Sequence, residues 1–295
     1  MWLKILLLYC LACHAPSALA QDMYEQDPTV LRAGFFYPSV NQIASRADIM
    51  LSLTYWMQEL SQRFDMSVAP VQLFDDIKLM AEAFKQERIN LVAAPPLSIA
   101  VHFERENLAD CVLASRAGDK LDSFYLVSGP TVVGQGIDAL RAKHVLMPEN
   151  DELAEVFLQL LTLKHAHLPY TKYFAKVTAS DKAQKMLLDL FFGKADAAIV
   201  NQATYELMTE LNPQMAEKIK VLADLPLKSK NYGFLHRNYQ QRARFMQNYL
   251  KIAETVRGQQ ILMVYQQEKM SFCDVKDLDT FAALYNEYRQ LLKQK

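Results

Sequence analysis

The stretch "EAFKQERINLVAAPPLSIA", residues 82–100, decides the fold class. A helical pattern from Ile77 to Gln86 gives way to a charged turn. A short apolar strand, "INLVAA" (89–94), follows, and Pro95-Pro96 stops it, because proline cannot donate to a ladder. A new helical pattern then begins. Upstream, "VAPVQLF" (68–74) reads as a strand closed by Asp75-Asp76. Before it, Ile43, Ile49, Met50, Leu53, Trp56, Met57 and Leu60 recur at helical spacing over 42–64. Before that, "VLRAGFFY" (30–37) is strand-like and ends at Pro38-Ser39. Strand, helix, strand, helix, strand predicts right-handed crossovers, a mainly parallel sheet and an α/β fold.

A second block repeats the theme. "SFYLVSG" (123–129), "HVLMP" (144–148), "YFAKVTA" (173–179), "ADAAIV" (195–200) and "IKVLAD" (219–224) are predicted strands. Helices are expected over 136–143, 151–166, 181–192 and 202–211, and the chain after "LPLKSKNYGFLH" reads as helical, with stripes over 239–257 and 277–292. "DLFFGKADAAIVNQATYEL" (189–207) echoes the opening stretch with a one-residue offset. Each has a helix ending on Phe, a charged turn, an Asn or Asp, a small apolar strand, a break and a new helix. Two similarly wound lobes would produce that echo.

Hydrophobic residues make up 51% of the 295 and charged residues 22%, the composition of a globular protein with ample core. A formal net charge of −1 gives no global electrostatic case for nucleic acid or an anionic membrane. Residues 1–20 have the parts of a cleavable secretory signal: Lys4, the apolar run from Ile5 to Cys13, and Ala18-Leu19-Ala20. The run falls short of the roughly 20 residues that span a bilayer. The alternatives are an uncleaved anchor or a lipid-modified Cys13. Export to the periplasm as a soluble protein is the expectation. Cleavage leaves Cys111 and Cys273, which can bridge in an oxidising compartment. Their separation in sequence favours two separate buried thiols.

Motifs for chemistry fail on context. "VGQGIDA" (133–139) has dinucleotide-like spacing, but its helix is too short before the next strand. His102, His144, His165, His167 and His236 form no ligand set; His165 and His167 lie two apart and point to different faces of a helix. No G-x-S-x-G elbow is present. No catalytic residues, cofactor or metal are assigned.

The remaining signal is positional. In open parallel sheets ligands bind beyond the carboxyl ends of the strands. Those ends carry Tyr37-Pro38-Ser39, Asp75-Asp76, Pro95-Pro96-Ser98, Pro148-Glu149-Asn150 and Asn201-Gln202-Thr204. Helix capping alone accounts for each one. Five together, on two lobes, outline a cleft.

The chain resembles the periplasmic solute-binding proteins of the phosphate/phosphonate type, within the class II periplasmic binding protein fold. The resemblance runs over about residues 30–290 and is carried by "LRAGFFYPS", "MAEAFKQERINLVAAPPLSIA", "GIDALRAKHVLMP", "LFFGKADAAIVNQATYELM" and "GQQILMVYQQEKMSFCDVKDLDTFAALYNEY". It implies two α/β lobes joined by two crossing strands. Lobe one would be 21–126 plus 225–295, lobe two 127–224, with hinges near Leu126-Val127 and Asp224-Leu225. A solute would bind between the lobes of a monomer and be handed to a membrane ABC permease; some homologues instead feed membrane sensors. Phosphonate binders of this family hold the anion on a Ser/Thr-rich turn at the first lobe-two helix. Here that turn reads "MPENDELAE", whose carboxylates repel an oxyanion. Asn90 replaces a frequent Asp, and "AAPPLS" replaces a loop with an aromatic residue. The scaffold carries over; phosphonate does not. Candidate cleft residues are Tyr37, Ser39, Asp75, Pro96, Ser98, Glu149, Asn150, Asn201, Thr204 and Tyr232. Tyr37 and Tyr232 would stack on or hydrogen-bond a ligand, Asn201 and Thr204 donate and accept, and Asp75 and Glu149 favour an amine. The alternative readings are a sensor or accessory subunit docking on a membrane partner, and, further off, an enzyme on the same fold.

Overall fold

The two echoing segments fold alike because each places a polar side chain just before a buried strand. The computed structural model describes residues 27–36, 45–115, 123–180, 182–225, 227, 231–264 and 267–294. In it the buried Asn90 amide accepts the Arg32 N–H at 2.8 Å and donates to the Val30 carbonyl at 2.8 Å. Asp196 does the corresponding job, its carboxylate accepting the His144 N–H at 2.9 Å. Each pins its own strand to the start of a parallel neighbour. The pairs are β1 (Ala33–Phe35) with β3 (Leu91–Ala94), and β6 (His144–Pro148) with β8 (Ala197–Asn201). Helices α2 (Ile77–Lys85) and α3 (Pro96–His102) flank β3, as α6 (Ala183–Phe191) and α7 (Gln202–Leu211) flank β8.

Around these units two sheets form. The first adds β2 (Gln72–Leu73), β4 (Leu108–Ser115), β10 (Asn231–His236) and β11 (Lys269–Cys273), in the order β11-β4-β10-β3-β1-β2. The second adds β5 (Phe124–Ser128), β7 (Lys176–Ser180) and β9 (Lys220–Leu225), in the order β7-β6-β8-β5-β9. The expectation of mainly parallel sheets is corrected: β10 runs antiparallel to β3 and β4, β11 to β4, and β5 to β8 and β9. The cause is the route of the chain. A strand that leaves for the other lobe and one that returns from it run in opposite directions. The crossings fall between Ser115 and Phe124 and between Leu225 and Asn231. Leu126-Val127, expected at a hinge, lies inside β5 with neighbours on both sides in the second sheet.

Helix α1 (Arg46–Phe64) begins at Ser45, whose hydroxyl accepts the Asp48 N–H while the Asp48 carboxylate accepts the Ser45 N–H. That reciprocal cap fixes the helix start. Its buried face, including Leu53, Trp56 and Leu60, packs on one side of the first sheet with α9 (Arg242–Ile252) and α10 (Val256–Val264). Met80 and Phe84 of α2 and Ile99 of α3 cover the other side. In the second lobe α4 (Glu152–Ala166) and α5 (Tyr170–Tyr173) cover one face; α6, α7 and α8 (Pro213–Lys218) cover the other. The last helix, α11 (Asp279–Lys293), packs on both α3 and α4. Its Phe281, Leu284, Tyr285 and Tyr288 join a cluster with Leu97, Leu153 and Phe157. Phe281 is fully buried there, worth about 1.5–3 kcal/mol, and the other three are partly buried, so this contact ties the lobes together besides the two crossings.

Cys111 and Cys273 are bridged, with Cα atoms 4.9 Å apart across β4 and β11. The expectation of two separate thiols is therefore wrong. Distance along the chain does not matter when antiparallel pairing sets the two residues opposite each other.

Candidate functional site

Ser98 and His102 lie one turn apart on α3 and so share a face. Ser98 is 3% exposed. Opposite them, α4 begins at Asp151, whose carboxylate accepts the Ala154 N–H at 3.0 Å. The next residue, Glu152, reaches across to the first lobe. One carboxylate oxygen accepts from Ser98 Oγ at 3.0 Å, and the other lies 3.2 Å from His102 Nε2. The two lobes thus meet through a carboxylate held by a hydroxyl and an imidazole. Burial pushes the Asp151 carboxyl up from its ordinary range, against the lowering effect of N–H groups from Ala154 and Leu153. Asp151 at the cap, with Glu152 and Glu155 in the first turn, puts carboxyl groups at the positive end of the α4 dipole.

The other candidate residues lie at strand ends. Ala94, at the end of β3, is opposite Tyr232 at the start of β10, where the chain re-enters the first sheet. Asn201, at the end of β8, is opposite Phe124, where it enters the second. Asn201 caps α7, its side-chain oxygen accepting the Thr204 N–H at 2.8 Å. Thr204 is half-buried, and Glu149 and Asn150 are exposed in the turn after β6, where Asn150 takes the left-handed conformation (φ 54°). Pro96 is buried in the first turn of α3. Asp75 is exposed just after β2 and pairs with Arg46 of α1, so it is already matched by a cation.

Tyr232 is placed differently from its expected stacking role. It is 6% exposed, lies parallel to Phe234 with ring centres 6.2 Å apart, and belongs to the core between the first sheet and α2 and α3. Burial, with Asp277 nearby, pushes its hydroxyl up. Tyr37 and Ser39 lie outside the described residues. Sequence reasoning missed Glu152 and His102 as site residues. A Ser and a His at i and i+4 on one helix, and separately an acidic helix start, were the available signals; their meeting was not.

The glycine turn of "VGQGIDA" has positive φ at Gly134 and Gly136 (121° and 64°) and opens only a single helical turn, Ile137–Leu140. Among the described residues no group of three His, Cys, Asp or Glu is placed to hold a metal ion.

The profile of one family, described as "ABC transporter, phosphonate, periplasmic substrate-binding protein", matches residues 41–278. The chain belongs to this family. Members bind small molecules and deliver them to ABC permeases; the family is one of transport proteins, not of enzymes. Solved structures share its two-lobed class II periplasmic binding protein fold. PhnD1 from Prochlorococcus marinus, in complex with methylphosphonate, superposes with a TM-score of 0.65 at 16% identity, covering 90% of this chain and 100% of that one. A binding-protein component of an ABC phosphonate transporter from Pseudomonas aeruginosa gives 0.65 at 13%, covering 90% and 88%. The aliphatic sulphonate binding protein SsuA from Escherichia coli gives 0.54 at 16%, covering 90% and 94%. No curated protein matches by sequence. For this member of the phosphonate-binding family, the comparisons carry the scaffold and leave the solute to the residues of the cleft.

Proposed function

We propose that this substrate-binding protein captures, between its lobes, a small solute bearing an amine or another cationic group, and not an oxyanion. The observation that carries this reading is the Glu152 carboxylate, which sits in the first turn of α4 and is engaged by Ser98 and His102. A helix N-terminus attracts anions, and here the protein's own carboxyl groups at 151, 152 and 155 take up that attraction. An incoming phosphonate would meet like charge; an ammonium group would meet opposite charge. Glu149, Asn150, Asn201, Thr204, Pro96 and Ser98, at or just beyond strand ends, are the proposed lining.

The protein acts without catalysis, as an exported monomer handing its solute to an ABC permease. Family membership supports this, as does the signal-like start of the sequence. No helix among the described residues is long and apolar enough to cross a membrane. Calorimetry with a panel of alkylamines, polyamines and amino alcohols against methylphosphonate, phosphate and ethanesulfonate tests the ligand class. Binding is expected among the amines and should weaken at least tenfold in Glu152→Gln. Micromolar binding of methylphosphonate or phosphate by the unaltered protein would overturn the reading.

A further inference from the structure

A second apolar pocket lies in the first lobe, away from the carboxylates at α4. Directly paired positions across the first sheet read Phe35, Ala93, Gly233 and Val112 on one face. The two middle positions are small, so the sheet dips between a phenylalanine and a valine. Gly233 cannot fill the dip, because a Cβ there would stand 2.9 Å from Val112 Cγ2. The helical roof of α1, α9 and α10 does not fill it, and an apolar cavity of about 110 Å³, open to solvent on one side, remains. Trp56, Tyr249 and Ile252 line the roof. The roof is braced: Trp56 meets Phe35 and Phe245 edge-on at 6.1 and 6.2 Å, and Phe245 lies 5.7 Å from Tyr249. Ala114, Met270 and Gln267 line the end where β4 leaves for the second lobe.

We propose that this cavity is a binding site for a small neutral hydrocarbon group, an alkyl chain of about four carbons. Among the described residues no charged side chain lines it, so an ionised group there would gain no compensating charge. An apolar cavity of about 150 Å³ elsewhere accepts benzene or xenon. The cavity here is somewhat smaller, which sets the size of the group. It lies on the α1, α9 and α10 face of the sheet, opposite the face that carries α3 and Ser98. The inference therefore stands whatever the cleft binds.

Xenon-pressurised crystals and NMR titration with straight-chain alcohols from ethanol to heptanol test it on the whole mature protein. One xenon atom is expected between Phe35, Trp56 and Tyr249. Affinity should rise about fourfold per added methylene, then level off near four carbons. Ala93→Val should abolish both signals while its unfolding temperature stays at or above that of the parent; Ala114→Leu blocks the same space from the rim should Ala93→Val fail to fold. An empty cavity under xenon, affinity independent of chain length, or unchanged binding in a folded filled variant would overturn the proposal.

Discussion

Reducing the Cys111–Cys273 bridge should destabilise the first lobe by several kcal/mol while leaving the second largely as it was. The bridge joins residues separated by 162 positions, and the intervening chain includes the whole second sheet. In the chain-entropy treatment a loop of that length costs the unfolded state about 5 kcal/mol at 25 °C. The relevant loop is shorter if the second lobe stays folded when the first melts. Phe124 and Leu225, at the two ends of that lobe, are paired in adjacent strands. The effective loop then shrinks to about 60 residues and the contribution to about 4 kcal/mol. At roughly 2–4 °C per kcal/mol for a unit of this size, the unfolding temperature of the first lobe should fall by about 10–15 °C. Urea unfolding with and without a phosphine reductant measures the effect without altering packing, since the thiols remain in place. Tyrosine and tryptophan signals separate the lobes: both tryptophans of the chain, Trp2 and Trp56, lie outside the second. A loss below about 1 kcal/mol, or two reactive thiols in the native oxidised protein, would refute the reasoning.

Three further outcomes are expected. Ser98→Ala removes a donor from Glu152, and a hydrogen bond to a charged partner that water can partly replace is worth about 1 kcal/mol; urea titration should show that loss, and none would mean the contact between lobes is idle. His236 is 2% exposed, accepts the Asn238 N–H on Nδ1 and packs on Phe84, and burial holds its imidazole below the ordinary range. Its contribution to stability is complete above the unfolded-state value of about 6.5 and is lost as the pH falls through the lower folded-state value. The pH 7.5 to 5.5 loss should therefore be smaller in His236→Phe than in the parent, and an equal loss would place the titrating group elsewhere. Gly258 sits so close to the Ile252 carbonyl that a Cβ would stand 1.8 Å from its oxygen, so Gly258→Ala should cost about 1–3 kcal/mol or more by forcing α10 away. Unchanged thermal unfolding would show that α10 shifts freely.

Periodicity found the elements that alternate strongly, and it failed where another lobe decides the outcome. Helices α1, α2, α4 and α7 and strands β3 and β8 follow from apolar spacing bounded by caps and prolines. Strand β10 carries a glycine in its middle, and β11 has no fully buried residue. Neither has a local pattern that separates it from a loop; both are strands because β4 lies beside them. The same holds for the site. Asn201 as a helix cap is a local fact and was legible. Tyr232 depends on which face of β10 meets the core, and Gly233 next to it gives no alternation to settle that. Glu152 could be seen as an acidic helix start, but its partners Ser98 and His102 are 54 and 50 residues away and become neighbours only when α11 holds α3 against α4.

The paired ends of the second lobe bear on how such proteins diverge. A unit whose two termini are adjacent in one sheet can be exchanged as a cassette without stretching its host. The surface that greets it is contributed by α11, which begins some 55 residues beyond the splice at Leu225. Chimeras made by swapping residues 123–225 alone should therefore fit the joints and mismatch the seam. Carrying the α11 positions 281, 284, 285 and 288 along with the cassette should restore it, so these positions are expected to vary in concert with Leu153 and Phe157 and to be indifferent to the composition of their own sheet.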